Sequence, residues 1–212
     1  MRSLLFIGKN SKIFAEIKKD LSSQFTLSAI SHKEIVKTHT RFDIVIIGSF
    51  SKKIESNLIL FDNIKKSFFF NKIIYLSSAV VELDNTYNYY NYVKIKKNLE
   101  HYFFSFFREN SVVLRPYQVV RLEGSKYPLT SKPNDFLKKI QLVSKNRNSS
   151  KVISFEPFLC DSISSPNFIY RTLFANKLFI FCRFFDFYYK KSKFTNYGYT
   201  YGLYLKHQHK SL

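Results

Sequence analysis

Three residues in the middle of the chain have the types and spacing needed for proton transfer. Ser78 ends an apolar run, and Tyr92 and Lys96 follow at positions i and i+4 of a predicted helix. Residues four apart lie on one helix face, so the phenol and the ammonium share that face. An ammonium favours the ionised form of a nearby phenol, and a serine hydroxyl can hold a substrate oxygen. The set therefore predicts a site of general acid–base chemistry.

Two elements must position these groups. The run over residues 72–78 is typical of a buried parallel strand whose carboxyl end opens into a site. The helix that begins near Tyr92 carries Glu100 two turns further on. A second Tyr-x-x-x-Lys match, Tyr90 with Lys94, competes with the first. We choose Tyr92 because only that register has an acid four residues after the lysine.

The order of the motifs resembles that of a known enzyme family. Ser77-Ser78-Ala79-Val80-Val81 is followed by Tyr-x-x-x-Lys-x-x-x-Glu and then by Leu114-Arg115-Pro116. This order is similar to that of the extended short-chain dehydrogenase/reductases, and within them to the NAD-dependent epimerase/dehydratase branch, which acts mostly on nucleotide sugars. The resemblance implies that Tyr92 is the general acid/base, that Lys96 lowers its pKa and binds the nicotinamide ribose, and that Ser78 orients the substrate oxygen.

The apolar pattern predicts an α/β fold with a doubly wound, Rossmann-like parallel sheet. Strands are predicted near residues 3–8, 25–30, 42–48, 72–78, 111–115 and 152–155, and helices over 11–21, 51–69, 135–143 and 167–178. The first and third strands should be neighbours at the switch point of the sheet. We divide the chain into a dinucleotide-binding core, residues 1–120, and a C-terminal helical or irregular substrate-binding lid, residues 121–212, packed on that core.

By the same resemblance, the loops after the strands would bind a dinucleotide. The predicted cofactor-binding residues are Gly8, Asn10, Ser11, Lys12, Ile13, Ser31, His32, Lys33, Gly48, Ser49, Lys96, Arg115 and Pro116. Only the first of the family's three loop glycines is present, because Ser11 and Phe14 take the other two positions. Cationic side chains follow the second strand where relatives often carry an acid, which favours NADP slightly over NAD.

Composition constrains partners and compartment. The net charge of +19 favours anionic partners, but the lysines are scattered and predict no specific nucleic-acid groove. The two cysteines and five histidines have no convincing ligand spacing, so no metal site is predicted. No apolar run approaches the length of a membrane span, and the apolar start is too short for a signal peptide. A cytoplasmic protein is predicted, with peripheral contact at the inner face of the membrane as the alternative.

Three functions from different classes remain open. The first is an NAD(P)-dependent oxidoreductase, epimerase or dehydratase acting on a nucleotide-linked sugar in surface polysaccharide biosynthesis. The second is a catalytically degenerate relative that binds a dinucleotide or sugar nucleotide as a sensor or scaffold, which Ser11 and Phe14 favour. The third is a peripheral membrane or nucleic-acid binding protein driven by the net charge of +19. The basic, aromatic segment 171–212 fits contact with an anionic membrane or, alternatively, the packed lid of a substrate pocket. A nucleotide sugar is the predicted small-molecule partner, and a homodimer is an open alternative to a monomer.

Overall fold

The computed structural model describes residues 1–35, 39–83, 91–119, 129–145, 151–155 and 158–159. In chain order, the elements up to the predicted serine pair are β1 (Arg2–Ile7), α1 (Lys12–Ser22), β2 (Phe25–Ile30), β3 (Thr40–Ile47), α2 (Ile54–Ser67) and β4 (Phe68–Leu76). They are followed by α3 (Asn91–Phe107), β5 (Ser111–Arg115), β6 (Gln118–Val119), β7 (Leu129–Ser131), α4 (Pro133–Lys145), β8 (Lys151–Ser154) and β9 (Phe158–Leu159). Short 3-10 turns follow β2 at His32–Glu34 and β4 at Ala79–Leu83.

The main sheet has six strands in the order β2-β1-β3-β4-β5-β8, and all its pairings are parallel. The strand order reverses direction between β1 and β3, and this is the switch point at which such sheets bind ligands. The fold is Rossmann-like. The predicted fold class and the predicted adjacency of the first and third strands are confirmed.

Alternate residues of each central strand face two separate cores. Leu4 and Phe6 of β1 pack with α1 and α4, whereas Leu5 and Ile7 pack with α2 and α3. This alternation gives strands that are apolar on both faces, as buried parallel strands must be. Much of the second core is aromatic, because Phe61 of α2 makes edge contacts with Tyr75 and with Phe103, Phe106 and Phe107 of α3. Helices therefore cover both faces of the sheet, as predicted.

Two boundaries differ from the sequence predictions. The helix predicted over residues 51–69 ends at Ser67, because Phe68 pairs with Thr40 and begins β4. A run of three phenylalanines is compatible with both the helical and the strand pattern of apolar residues. The pairing of this run with β3 shows that it belongs to the strand. The sheet also continues beyond residue 120, since β8 adds a sixth strand beside β5. The helix predicted over residues 167–178 and most of the lid predicted over 121–212 lie outside the described residues.

A second, three-stranded sheet follows the carboxyl end of β5. β6 pairs with β7 in parallel, and β7 pairs with β9 in antiparallel fashion. The Tyr117 N–H donates to the Ser131 hydroxyl at 3.1 Å, so β7 is tied to the chain just before β6 begins. This small sheet therefore stands next to the strand end that carries Arg115.

Candidate functional site

The carboxyl ends of β1, β2 and β3 are joined by a few short backbone contacts. The Gly8 and Lys9 N–H groups both donate to the Ile30 carbonyl, at 2.8 and 3.1 Å, and the Gly48 N–H donates to the Ile7 carbonyl at 2.8 Å. Gly8 has φ +119°, and a Cβ there would lie 2.9 Å from the Ser49 nitrogen. Only glycine fits this turn, because both the backbone angle and the space exclude a side chain.

Ser11 and Phe14, which stand where the resembled family carries its second and third loop glycines, have defined structural roles. Ser11 caps α1 and its hydroxyl accepts from the Phe14 N–H at 3.3 Å. The Phe14 side chain lies in the core, with its ring centroid 4.7 Å from that of Phe6. Phe6 in turn fills the space beside Gly48, where a Cβ would lie 2.5 Å from its ring. The large Phe14 ring therefore packs below the helix, where the family's third glycine would allow close helix–strand packing.

The loop after β2 contains an acid that the sequence prediction overlooked. The Glu34 carboxylate accepts from the Ser31 N–H at 2.9 Å and from the Lys9 ammonium at 2.5 Å. These contacts hold the pKa of Glu34 below its ordinary value, the hydrogen bond from Lys9 contributing most. His32 Nδ1 lies 3.4 Å from the Ser49 hydroxyl, and the Lys33 side chain is exposed. The premise that no acid follows the second strand is wrong.

The carboxyl end of β4 presents two serine hydroxyls in different surroundings. The Ser77 N–H donates to the Leu114 carbonyl of β5 at 2.8 Å, and its hydroxyl is buried with no hydrogen-bond partner in the described part of the chain. The Ser78 hydroxyl instead forms a hydrogen bond with that of Tyr92. The structure therefore brings together the serine and the tyrosine that the sequence singled out.

Burial controls the ionisation of Tyr92. It raises the pKa of the Tyr92 phenol, and the hydrogen bond from Ser78 acts in the opposite direction. The residue as a whole is 36% exposed, so the hydroxyl end is desolvated while part of the ring faces outward. A phenol with a raised pKa is protonated at neutral pH and is ready to donate a proton.

Lys96 lies below Tyr92 on the same face of α3 and is 4% exposed. Its ammonium donates to the Tyr75 hydroxyl at 3.2 Å and to the Leu76 carbonyl at 3.1 Å. The Phe50 ring centroid lies 4.4 Å from the same nitrogen, and the Phe50 ring also makes an edge contact with Tyr92 at 5.3 Å. Burial lowers the pKa of Lys96 to about 7, with the charge of Glu100 opposing. The amine is therefore enclosed by protein groups.

The end of the helical motif forms a partly buried ion pair. Glu100 accepts from Arg115 Nε at 3.1 Å and from Nη2 at 2.6 Å, which is the two-pronged geometry of a strong carboxylate–guanidinium pair. Arg115 was predicted to bind cofactor, but the structure places its guanidinium on Glu100. Pro116 is buried, and its carbonyl accepts from the Ala79 N–H at 3.0 Å. The ion pair therefore ties α3 to the end of β5, and the Ala79–Pro116 backbone bond ties that end to the turn after β4.

Comparisons with known proteins find likeness in structure only. No family model matches the chain, and no curated protein matches it. The chain is similar to the UDP-N-acetylglucosamine 4-epimerase from Bacillus cereus, with a TM-score of 0.49 and 11% identity over 73% of this chain and 75% of that one. It is also similar to the capsular polysaccharide assembling protein CapF from Staphylococcus aureus, with a TM-score of 0.47 and 11% identity over 74% of this chain. The match spans 54% of CapF, about half its length. At this identity the likeness describes the backbone fold.

Three residues of the site were missed or given too little weight. Phe50 follows the predicted cofactor residues Gly48 and Ser49 but was not itself predicted, although its ring lies over the Lys96 ammonium. Tyr75 carries a hydroxyl within the apolar run that ends β4, and a buried tyrosine hydroxyl usually has a partner. Glu34 follows Ser31 by three residues, which is the spacing of a capping box. The residue types and spacings were visible in the sequence, but the groups that these three side chains contact could not be predicted from it.

The donor groups near α1 fit a diphosphate. Asn10 and Lys12 are exposed, the first turn of α1 contains no acid, and its leading N–H groups have no partner within a helix. Ile13 packs against the core. At the other end of the site, the Phe50 ring lies over the Lys96 ammonium.

Two further observations concern other classes of function. In the described ranges no helix is long and apolar enough to cross a membrane. In the same part of the chain no three His, Cys, Asp or Glu side chains are placed to hold a metal ion. Cys160, Cys182, His207 and His209 lie outside the described residues.

The pH dependence of stability tests the surroundings of Lys96. Its pKa is about 7 in the folded protein and 10.5 ordinarily, so between these values the unfolded chain binds the extra proton. The free energy of unfolding of the wild type should therefore rise between these two pH values. Lys96→Met removes the titration, and we expect this variant to be about 2 kcal/mol more stable than wild type near pH 6. Urea unfolding across pH should show the difference shrinking by about pH 10; a pH-independent difference contradicts the assignment.

Proposed function

We propose that the protein is an NAD(P)-dependent oxidoreductase or epimerase of the short-chain dehydrogenase/reductase type, acting on a nucleotide-linked sugar in surface polysaccharide biosynthesis. The observation that carries the proposal is the hydrogen bond between Ser78 and Tyr92 at the carboxyl end of β4, with Lys96 one turn further along the same helix face. A strand-end hydroxyl beside a desolvated phenol is the arrangement needed to bind a sugar hydroxyl and move its proton.

The roles of the residues follow from their surroundings. The Ser78 hydroxyl holds the reacting oxygen of the sugar next to the Tyr92 phenol. Tyr92 donates its proton to that oxygen in reduction and accepts it in oxidation. Lys96 adds positive charge below the phenol whenever its amine is protonated, which its pKa of about 7 allows for part of the molecules at neutral pH.

The cofactor would lie across the switch point of the sheet. We propose that the backbone from Gly8 to Ile13, with Asn10, Ser11 and Lys12, binds the diphosphate. Ser31, His32 and Lys33 would face the adenosine end, and Gly48, Ser49 and Lys96 the nicotinamide end. When bound, the nicotinamide supplies hydride transfer. Arg115 and Pro116 support the site through Glu100 and Ala79. Of the predicted lid, 121–212, α4 and β8 belong to the core and the main sheet, so the proposal of a substrate lid applies to the rest of that range.

The choice between the two cofactors is tested at Glu34. The three residues after β2 favour the 2′-phosphate of NADP, but the ionised Glu34 carboxylate that Lys9 holds there repels it. We expect NADH to bind at least as tightly as NADPH, and Glu34→Gln to shift the ratio of dissociation constants toward NADPH by about 3–10-fold. Calorimetry or nicotinamide fluorescence measures both constants. Asp62→Asn, which removes an exposed acid from α2, is the matched control. An unchanged ratio in Glu34→Gln would show that Glu34 does not face the adenosine ribose.

A second function is favoured by the packing around Lys96. If the Phe50 ring never leaves the amine, the protein binds a dinucleotide or sugar nucleotide without turnover, as a sensor or scaffold. Binding of NADH with no oxidation or reduction over a panel of nucleotide sugars would support this function. Failure to bind any nucleotide would contradict both functions. The net charge of +19 would then be the feature that favours a class of partner, namely anionic ones.

A further inference from the structure

Phe50 lies outside the helices and strands, so neither helix formation nor strand pairing requires an aromatic residue at this position. It follows β3 in the loop Gly48-Ser49-Phe50, and its side chain is only partly buried. Its ring lies 4.4 Å from the Lys96 nitrogen and 5.3 Å from the Tyr92 ring. The same side chain therefore contacts two of the three residues proposed for catalysis.

Groups of three residues of this chain surround the Lys96 ammonium in the described structure. Lysine has three N–H donors. The Tyr75 hydroxyl and the Leu76 carbonyl accept hydrogen bonds from the nitrogen, and the rings of Phe50 and Tyr75 lie within 4.4 and 4.9 Å of it. Leu76 contributes a backbone carbonyl of a central strand, and the Tyr75 ring is buried against Phe61 and Phe103. Phe50 lies in a loop, so it is the group that a ligand can displace.

The backbone beside Phe50 is held in place, so displacement has to come from the side chain. Ser49 lies against Gly8 so closely that a Cβ on Gly8 would come within 2.9 Å of its nitrogen, and Gly48 donates to Ile7 at 2.8 Å. A rotation of the Phe50 side chain leaves these contacts intact. It exposes the amine but loses a cation–π contact and an aromatic edge contact.

We propose that Phe50 is a specificity residue that closes the nicotinamide-riboside end of the dinucleotide site by covering Lys96. This inference rests on the proposed function, because it takes the nicotinamide ribose as the ligand of Lys96. A ligand that reaches Lys96 binds only the fraction of molecules in which the ring has moved, and its apparent affinity falls by that fraction. The apparent affinity of a ligand that ends at the diphosphate is not reduced in this way. In the wild type, the nicotinamide half therefore adds little to the affinity of the adenosine diphosphate half.

Calorimetry with ADP and NADH on four full-length proteins tests this proposal. We expect the wild type to bind both ligands within about threefold of one another, and Phe50→Ala to bind NADH about tenfold more tightly with ADP unchanged. Phe50→Leu keeps apolar bulk without the aromatic face, so its affinity for NADH should lie between those of the wild type and Phe50→Ala. The same variant tests the proposal if Phe50→Ala does not fold. Phe69→Ala is the matched control, since Phe69 is an exposed phenylalanine near the amino end of β4, whereas the site lies at the carboxyl end.

The outcomes separate this inference from the proposed function. Selective tightening for NADH in Phe50→Ala supports the role of Phe50. If the wild type already binds NADH more than about tenfold tighter than ADP and Phe50→Ala changes neither constant, the ring is no barrier and the inference fails while cofactor binding stands. Equal weakening of both ligands reveals a general packing role and also overturns it. If no protein of the set binds either ligand, the proposed function fails and the inference with it.

Discussion

Tyr92→Phe should reduce turnover by about 10²–10⁴-fold and leave nucleotide binding within about twofold of wild type. The substitution removes only the phenol oxygen that shares a hydrogen bond with Ser78, and the ring still packs against Phe50. The phenol is protonated at neutral pH because burial raises its pKa. Reduction should therefore proceed at neutral pH, whereas the oxidative direction should accelerate as pH rises. Nicotinamide absorbance with a panel of nucleotide sugars measures both directions.

Two other tyrosines provide controls for Tyr92. Tyr102→Phe removes a hydroxyl from the same helix at a residue that is 38% exposed, and we expect no loss of turnover. Tyr90→Phe tests the competing Tyr-x-x-x-Lys match, although Tyr90 lies outside the described residues. Loss of activity in Tyr90→Phe with normal activity in Tyr92→Phe would move the motif by two residues. Full activity in both would show that the protein does not use this chemistry.

The parts of the site that follow periodicity could be predicted from sequence. The ends of apolar strands fixed the positions of Gly8, Gly48 and Ser78, and helical spacing placed Tyr92 and Lys96 on one face. Because parallel strands end at one edge of the sheet, Ser78 could be expected near Tyr92, and the two side chains do form a hydrogen bond.

The surroundings of Lys96 could not be predicted in the same way. Its partners come from β4 and from the loop after β3, so they depend on strand order and on side-chain rotation. Sequence spacing shows that a lysine can face a tyrosine, but not that Tyr75 and Phe50 enclose its amine. Phe14 is a similar case, since its bulk is accommodated by Phe6 and by the absence of a side chain at Gly48.

Glu100→Gln should lower the free energy of unfolding by about 3 kcal/mol. For a chain of this length the expected fall in Tm is roughly 6–12 °C. Glu100 and Arg115 are joined by two hydrogen bonds, and their side chains are 6% and 22% exposed. Glutamine keeps the size of the side chain but removes the carboxylate that binds the guanidinium, so only the charge of Glu82 is left among those that stabilise it. This loss costs more than the pair itself contributes. It also removes the charge that raises the pKa of Lys96, so the amine should become neutral at a lower pH.

An exposed pair on the neighbouring helix provides the control for Glu100→Gln. Lys66 and Asp62 lie 2.6 Å apart with side chains 60% and 43% exposed, so Asp62→Asn should cost less than about 0.5 kcal/mol. Adding Arg115→Met to Glu100→Gln removes the guanidinium that has lost its carboxylate and should recover part of the loss, because that cation is no longer buried without its partner. Urea unfolding of the wild type, Asp62→Asn, Glu100→Gln and the double variant measures these differences. Equal costs for Glu100→Gln and Asp62→Asn would show that the Glu100–Arg115 pair is solvated in solution and does not tie α3 to the strand ends.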